Sequence, residues 1–293
     1  MKYKETAFSD KLLTFIVYFL IAVIILATVY PLYFVLIASF SDSTEVSKGA
    51  TLLLPSNITF EGYAKVFEDA RIWRGYLNTI LYTIVGTTIS VIGTIPAAFA
   101  LSRKELPFKR AIMFFFSFTM FFSGGLIPTY FLMQDLHLVD TFWVMVIPFA
   151  VSVYNVIVAR SFFQSSIPEE LFEAAQIDGC TYTRFFIQMV LPLSKAIIAV
   201  MALYYAVGYW NEYMRALIYI RNTQLIPLQL VLKEILISNQ AFEQINMDNA
   251  LKQRLADTMK YSVIVISTLP MLVLYPLLQK YFEKGVMIGS LKG

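Results

Sequence analysis

Apolar residues in this chain gather into six blocks, at about 12–38, 77–101, 111–134, 141–163, 191–217 and 261–279. Each is close to the roughly 20 residues that a helix needs to cross about 30 Å of hydrocarbon. Backbone amides inside lipid must be satisfied within the segment, so the blocks predict helices. The first block follows Lys2, Lys4 and Lys11 and is too long for a signal-peptide core, which predicts a retained anchor. The expected fold class is an all-α membrane protein with six transmembrane helices. Two regions follow from the pattern: an N-terminal anchor helix with an external loop, 1–76, and a five-helix core, 77–293.

Short loops set the direction of insertion. The loop 102–110, SRKELPFKR, holds Arg103, Lys104, Lys109 and Arg110, whereas 135–140, DLHLVD, holds no Lys or Arg. The first is therefore expected in the cytoplasm and the second outside, which puts both termini in the cytoplasm. In the long external loop 218–260, Leu228, Val231, Leu232, Ile235 and Leu236 recur at helical spacing behind Pro227. That predicts a helix, packed on the protein's own rim or presented to an external partner.

Composition agrees with a bilayer as solvent. The chain is 58% hydrophobic and 15% charged, against about 25% charged in soluble domains. A net charge of +3 gives no nucleic-acid footprint. One cysteine, Cys180, and one histidine, His137, exclude an internal disulfide and a histidine metal cluster, so no metal is expected. No Gly-Lys dipeptide occurs, so there is no phosphate loop, and one outer-loop histidine supports no hydrolytic triad. The chain is not expected to be an enzyme. The middles of the blocks carry no ionisable residue; Glu212 and Arg215 lie near the outer end of the fifth. A proton- or ion-coupled carrier would keep such residues within the membrane.

Several blocks carry helix breakers: Pro96 in the second, Gly124, Gly125 and Pro128 in the third, and Pro148 in the fourth. They predict packing kinks or flexing points. Tyr205, Tyr209 and Tyr213 recur at i, i+4, i+8 in the fifth block, beside Trp210 and Asn211, with Asn155 in the fourth. These residues suit either an interfacial aromatic belt and helix packing or the lining of a path through the bundle.

The segment 166–192 is different. Ser166 and Glu169 fit a capping box, Pro168 suits a first turn, and Glu169 and Glu170 suit a helix N-terminus. Asp178-Gly179 predicts a stop with glycine left-handed, and a second helix from about Thr181 leads through Leu191-Pro192 into the fifth span. Helix, glycine corner, helix, with acids at the tip, predicts a cytoplasmic knob for a soluble partner, since anionic lipid would repel it.

Glu173-Ala174-Ala175, three residues, Gly179, nine residues, Met189-Val190-Leu191-Pro192 resembles the E-A-A-x3-G-x9-I-x-L-P loop of binding-protein-dependent ABC importer permeases. Met189 stands where that pattern has isoleucine. The resemblance spans nearly the whole chain. LPSNITFEGYAKVF followed by Leu77-Asn78-Thr79, and YWNEYMRAL, are similar to carbohydrate permeases. FSGGLIPTY, PLQLVLKEIL and the tail QKYFEKGVMIGSLKG resemble the oligosaccharide and polysaccharide-fragment subgroup, comparable to the second maltose permease subunit.

The resemblance implies an importer of the bacterial cytoplasmic membrane. It would contain a second permease subunit, two ATP-binding cassette ATPase subunits that bind ATP and magnesium, and an extracytoplasmic solute-binding (lipo)protein that delivers an oligosaccharide. This chain would hold no cofactor of its own. Contact with the ATPases falls to Glu173, Ala174, Ala175 and Gly179, with Leu191 and Pro192 closing the motif, and the tail 280–293 would also reach them. A possible substrate path falls to Asn155, Tyr205, Tyr209, Trp210 and Asn211. Two alternatives stay open: an importer permease for a non-sugar solute, and a stand-alone secondary carrier or channel.

Overall fold

A computed structural model of the chain describes residues 8–242 and 257–273. Among them the regular elements are helices, with one isolated antiparallel bridge between Ser41 and Ile58. They divide into two compact units, one within Met1–Asp69 and Glu234–Thr268, the other within Ala70–Lys233 and Leu269–Gly293.

The first unit begins with α1 (Phe8–Ser39), followed by α2 (Ser43–Ser47) and α3 (Glu61–Glu68). Most of α1 exposes apolar side chains on every face, among them Leu13, Phe15, Leu26 and Leu32. A helix greasy all round and unburied by its own chain is a lipid-facing span. Only its end is held. There Phe34 meets Tyr261 edge-on at 5.9 Å, and Ser262 Oγ donates to Ser39 O at 3.3 Å. A Cβ on Gly62 of α3 would lie 2.4 Å from Thr258 O, so only glycine permits that approach.

The second unit is built on α4 (Ala70–Ser102), α5 (Lys109–Phe121), α6 (Leu126–Asp135), α7 (Phe142–Val146), α8 (Val153–Ser166), α9 (Glu169–Ile177) and α10 (Tyr182–Phe185). A π turn, Phe186–Val190, leads to α11 (Leu191–Leu193), α12 (Lys195–Trp210) and α13 (Met214–Tyr219). A 3-10 turn (Thr223–Leu225) precedes α14 (Leu228–Phe242), of which the part from Glu234 onward belongs to the first unit, and a last described helix, α15, covers 257–273 and belongs to the first unit as far as Thr268. On α4 the buried face repeats every four residues: Tyr82, Gly86, Ser90, Thr94, Ala98. Small and hydroxylated residues let helix backbones approach closely in lipid. A Cβ on Gly86 would lie 2.5 Å from Tyr209 Cζ, so the Tyr209 ring of α12 lies directly on the α4 backbone.

At its first turns α4 captures the loop before α14. Asn78 Nδ2 donates to Gln224 O and Ile226 O, Tyr82 Oη donates to Leu225 O, and Leu228 N donates to Thr79 Oγ1, all within 2.8–2.9 Å. The stretch Leu77-Asn78-Thr79 is thus a backbone clamp. Leu228, Val231, Leu232 and Ile235 of α14 are buried, so that face is covered by the chain itself.

The spans depart from six continuous helices. Two described helices are long and apolar enough to cross a membrane, Asp10–Ser39 and Ala70–Ser102, and counting each bent pair as one span gives up to four. In the third block α5 and α6 meet at 113°, where Gly125 takes φ +85°. The fourth block is interrupted between α7 and α8, where Pro148 lacks a donor and Phe149 has φ +60°. By contrast α4 continues without interruption past Pro96. The fifth span begins at Lys195, not at 191, because the chain turns by 80° at Ser194. Besides Glu212 and Arg215, two further charged residues lie within the expected blocks near their ends: Lys195, and Arg160, whose Nε donates to Leu101 O at 2.9 Å. Of the sixth block only 261–273 is described, and the tail 280–293 lies outside the described residues.

At the end of α4 that carries the clamp, Asp140 ties two loops together. Its Oδ1 accepts from Arg221 N at 2.8 Å and Asn222 N at 2.7 Å, and these bonds hold its carboxyl below the ordinary carboxylate range. A depressed carboxylate stabilises the fold fully above its unfolded value, about pH 4, and loses that contribution as pH falls through the lowered value. Asp140→Asn keeps the shape and tolerates the φ of +60°. The variant is expected to melt below wild type at pH 7 and to converge with it only once pH has fallen below the lowered folded value of Asp140, beneath about pH 4, read by thermal unfolding in detergent.

Candidate functional site

The segment 166–192 folds as a hairpin at the end of α4 opposite the clamp. The capping box does not form: Pro168 is the N-cap of α9, no side chain caps it, and Ser166 instead lies 3.5 Å from Ser165 Oγ. The first-turn acids favour the helix dipole unaided. Glu169 also meets Lys104 of the basic loop at 3.3 Å; because Lys104 is largely exposed, that pair stabilises little. The stop forms as expected. Gly179 takes φ +71°, Cys180 N donates to Ala175 O and Gly179 N to Gln176 O, both at 2.9 Å. These two bonds are the Schellman closure of a helix C-terminus.

The motif residues divide by face. Glu173 and Ala174 are exposed, together with Ile177 at 87% exposure, whereas Ala175 is buried. The sequence did not reveal the hairpin's anchor, Phe172. Its ring is buried 4.7 Å from Tyr182 and 5.1 Å from Phe185. Burying such a ring is worth about 1.5–3 kcal/mol, enough to fix a nine-residue helix that would not persist alone.

The second limb starts at Thr181, whose Oγ1 accepts from Arg184 N at 3.3 Å. It then widens into the π turn, where Leu191 N donates to Phe186 O, five residues back. Pro192 has no N–H and its ring crowds the carbonyl four residues before it, which favours such a bulge. Leu191 and Pro192 therefore end the limb rather than open the span.

A second feature is a cleft of about 260 Å³ between α8 and α12, lined by Asn155, Tyr205, Tyr209, Glu212 and Arg215 among others. Trp210 and Asn211 are not in its wall: Trp210 is buried against Tyr76, ring centroids 6.1 Å apart, and Asn211 Nδ2 bonds Val207 O at 2.8 Å. Nor does Tyr213 share a face with Tyr205 and Tyr209, because α12 ends at Trp210 and Tyr213 begins α13.

The two lining tyrosines are already engaged. Tyr205 Oη accepts from Ser152 N at 3.0 Å and shares a 2.6 Å hydrogen bond with Thr94 Oγ1. Tyr209 Oη donates to Val146 O at 3.1 Å and lies 3.2 Å from Ser90 Oγ. Arg215 Nη1 donates to Met145 O at 2.6 Å while Nη2 meets Glu212 Oε2 at 3.3 Å. Together they satisfy backbone groups freed by the interruption around Pro148, as a helix break within a membrane requires.

Comparison with known proteins gives these features a context. Residues 70–288 match the family model for the binding-protein-dependent transport system inner membrane component. The chain is 35% identical over 286 residues to the polygalacturonan/rhamnogalacturonan transport system permease protein YtcP of Bacillus subtilis (strain 168), covering 97% of this chain and 100% of that one. It is 38% identical over 268 residues to protein LplC of the same organism, covering 91% and 90%. A crystal structure of a bacterial ABC transporter involved in the import of the acidic polysaccharide alginate contains a chain that superposes with a TM-score of 0.86 at 32% identity, covering 95% of this chain and 99% of that one.

Tyr209→Phe tests what that hydroxyl does. It leaves Val146 O unpaired, and the expected cost is about 1–3 kcal/mol of stability, measured as a lowered melting temperature. A variant with wild-type melting and impaired uptake would move the hydroxyl from structure to transport.

Proposed function

This chain belongs to the family of binding-protein-dependent transport system inner membrane components, and on that premise we propose how its parts serve an ABC importer of oligosaccharides. It is a permease subunit of the cytoplasmic membrane. The family works with ATPases, a partner permease and a solute-binding protein, and a permease subunit of this kind is generally not a catalyst. The proposed direction has both termini and the hairpin in the cytoplasm, and six spans in all. ATP and magnesium are held by the ATPase subunits, and this chain carries no cofactor.

In this reading α9 docks on an ATPase through Glu173, Ala174 and Ile177, while Ala175 keeps it close to the second limb. Gly179 sets the angle between the limbs, and Leu191 and Pro192 fix where the second ends. The observation that carries the proposal is the division of α9 into an exposed face and a rooted one. Ile177, 87% exposed, adds an apolar group to that exposed face. The tail 280–293 is proposed as a second contact.

The substrate is proposed to be an oligosaccharide derived from a polysaccharide, since one relative is described as a polygalacturonan/rhamnogalacturonan transport system permease and a similar structure as a transporter involved in the import of alginate. The path passes the cleft at Asn155, with the rings of Tyr205 and Tyr209 as an apolar wall for sugar faces and Trp210 and Asn211 near its outer end.

Gly179→Asp is expected to insert normally but to lose most of the oligosaccharide-stimulated ATP hydrolysis, about five- to thirtyfold if coupling costs one or two kcal/mol. No Cβ clash accompanies the change, so its effect is on backbone angle and charge at the tip. Reconstituted complex with wild-type stimulation would remove the hairpin from the coupling route.

A further inference from the structure

We propose that the cleft beside Arg103 is a binding site for an anionic phospholipid, whose phosphate pairs with the buried guanidinium and whose acyl chain lies along the end of α4. The cleft has a volume of about 520 Å³. Its walls include Pro96, Phe99 and Ala100 of α4, Leu106 of the basic loop and Phe186 of the π turn. From Pro96 to Arg103 the helix advances about 10 Å, so the site is an apolar trough with one charged end.

Arg103 is that end. It is only 6% exposed, and among the described residues its Nε and Nη1 have no hydrogen-bond partner. The guanidinium lies 5.3 Å from the Phe99 ring centroid and 5.7 Å from that of Phe172. Ring faces offset part of the cost of burying a cation but leave its donors unused. Buried charges are otherwise paired, so the site lacks an anion. Glu105 stands in the cleft wall without bonding those donors, and Glu169 is engaged with Lys104. Lys109, bonded to the carbonyls of Ser102 and Arg103, and Arg160 add to the positive field.

A soluble phosphate would satisfy the guanidinium and leave the trough wet. An acidic side chain from a protein partner would do the same. A phospholipid supplies both a phosphate and hydrocarbon, and basic residues at a membrane end attract anionic headgroups. Because Phe172 roots α9, occupancy would stiffen the hairpin where it joins α4. The site stands on geometry alone, and the importer reading enters only through the complex used to test it.

The test is native mass spectrometry of the complete complex, released into detergent from nanodiscs of phosphatidylcholine mixed with phosphatidylglycerol. Wild type is expected to keep one phosphatidylglycerol per copy of this chain, favoured about tenfold over phosphatidylcholine, as charge-assisted hydrogen bonds imply. Arg103→Gln should bring that preference to about parity, while Arg103→Lys keeps most of it. Ala100→Trp, at an exposed position in the trough, should expel the lipid with Arg103 intact, and it covers the case in which Arg103→Gln fails to fold. Equal preference in wild type and Arg103→Gln overturns the proposal. So does inorganic phosphate that binds lipid-free complex through Arg103 when phosphatidylglycerol does not. So, finally, does a photoreactive residue at position 100 that crosslinks an ATPase subunit and no lipid. The same spectrum weighs the subunits, so loss of a partner chain is read separately from loss of lipid.

Discussion

Phe172 and Phe185 press their rings together inside the hairpin, Phe185 reaches Phe99 at the end of α4, and Phe99 meets Phe163 of α8 edge-on at 5.8 Å. Of these rings Phe163, Phe172 and Phe185 are fully buried. That contact is the constraint on which the rest depends. A helix of nine residues joined by a glycine corner has no stiffness of its own. Rooted in three aromatic partners it becomes a body that cannot rotate without moving α4 and α8. An exposed docking face has mechanical meaning only when its opposite face is fixed in this way.

The second constraint is the need to satisfy backbone polar groups in lipid. The interruption after α7 frees carbonyls and an amide in the middle of a hydrophobic block. Tyr205, Tyr209 and Arg215 return those bonds from α12 and the loop after it, and Ser90 and Thr94 of α4 complete the network. The same hydroxyls therefore join α4 to α12 and close the break, and Gly86 gives Tyr209 the space to do so. A cleft with such walls has little freedom to reshape one tyrosine at a time. It changes when the helices that carry it change.

Much of this was legible in residue order. Block lengths indicated lipid-crossing helices, and the spacing from Glu173 to Pro192 marked the hairpin before any coordinate did. Gly179 was readable as a left-handed stop because few other residues take that angle. Pro148 and Gly124-Gly125 announced breaks. Pro96 did not break α4, since packing on both sides of a proline can keep a helix continuous through it. What periodicity could not show was pairing at a distance. Tyr205 and Tyr209 read as a free aromatic face because their partners lie more than 50 residues away along the chain. Phe172 could not be told from its neighbours by spacing because its ring partners lie on the next limb. Arg103 read as one loop cation among four, and only its burial against two rings distinguishes it. The capping box failed for a local reason: Pro168, extended at φ −60° and ψ 145°, takes the N-cap position itself.

The hairpin has two routes into the membrane, and their stiffness differs. Covalently it continues into α12, but through a π turn and an 80° corner at Ser194, whose buried hydroxyl has no partner. A push along the second limb meets that corner sideways and is spent in bending it. Through its rings the hairpin bears directly on α4, a continuous helix of 33 residues. On the proposed function, a load on α9 would reach α4 first, and α12 would follow through the seam at Gly86, Ser90 and Thr94 rather than through the chain that connects it. The break between α7 and α8, stapled to α12, is carried along. On the proposed function, opening and closing of the cleft is then a movement of the α4–α12 pair driven from its aromatic end, and the corner at Ser194 is what lets the pair move without dragging the hairpin off its partner.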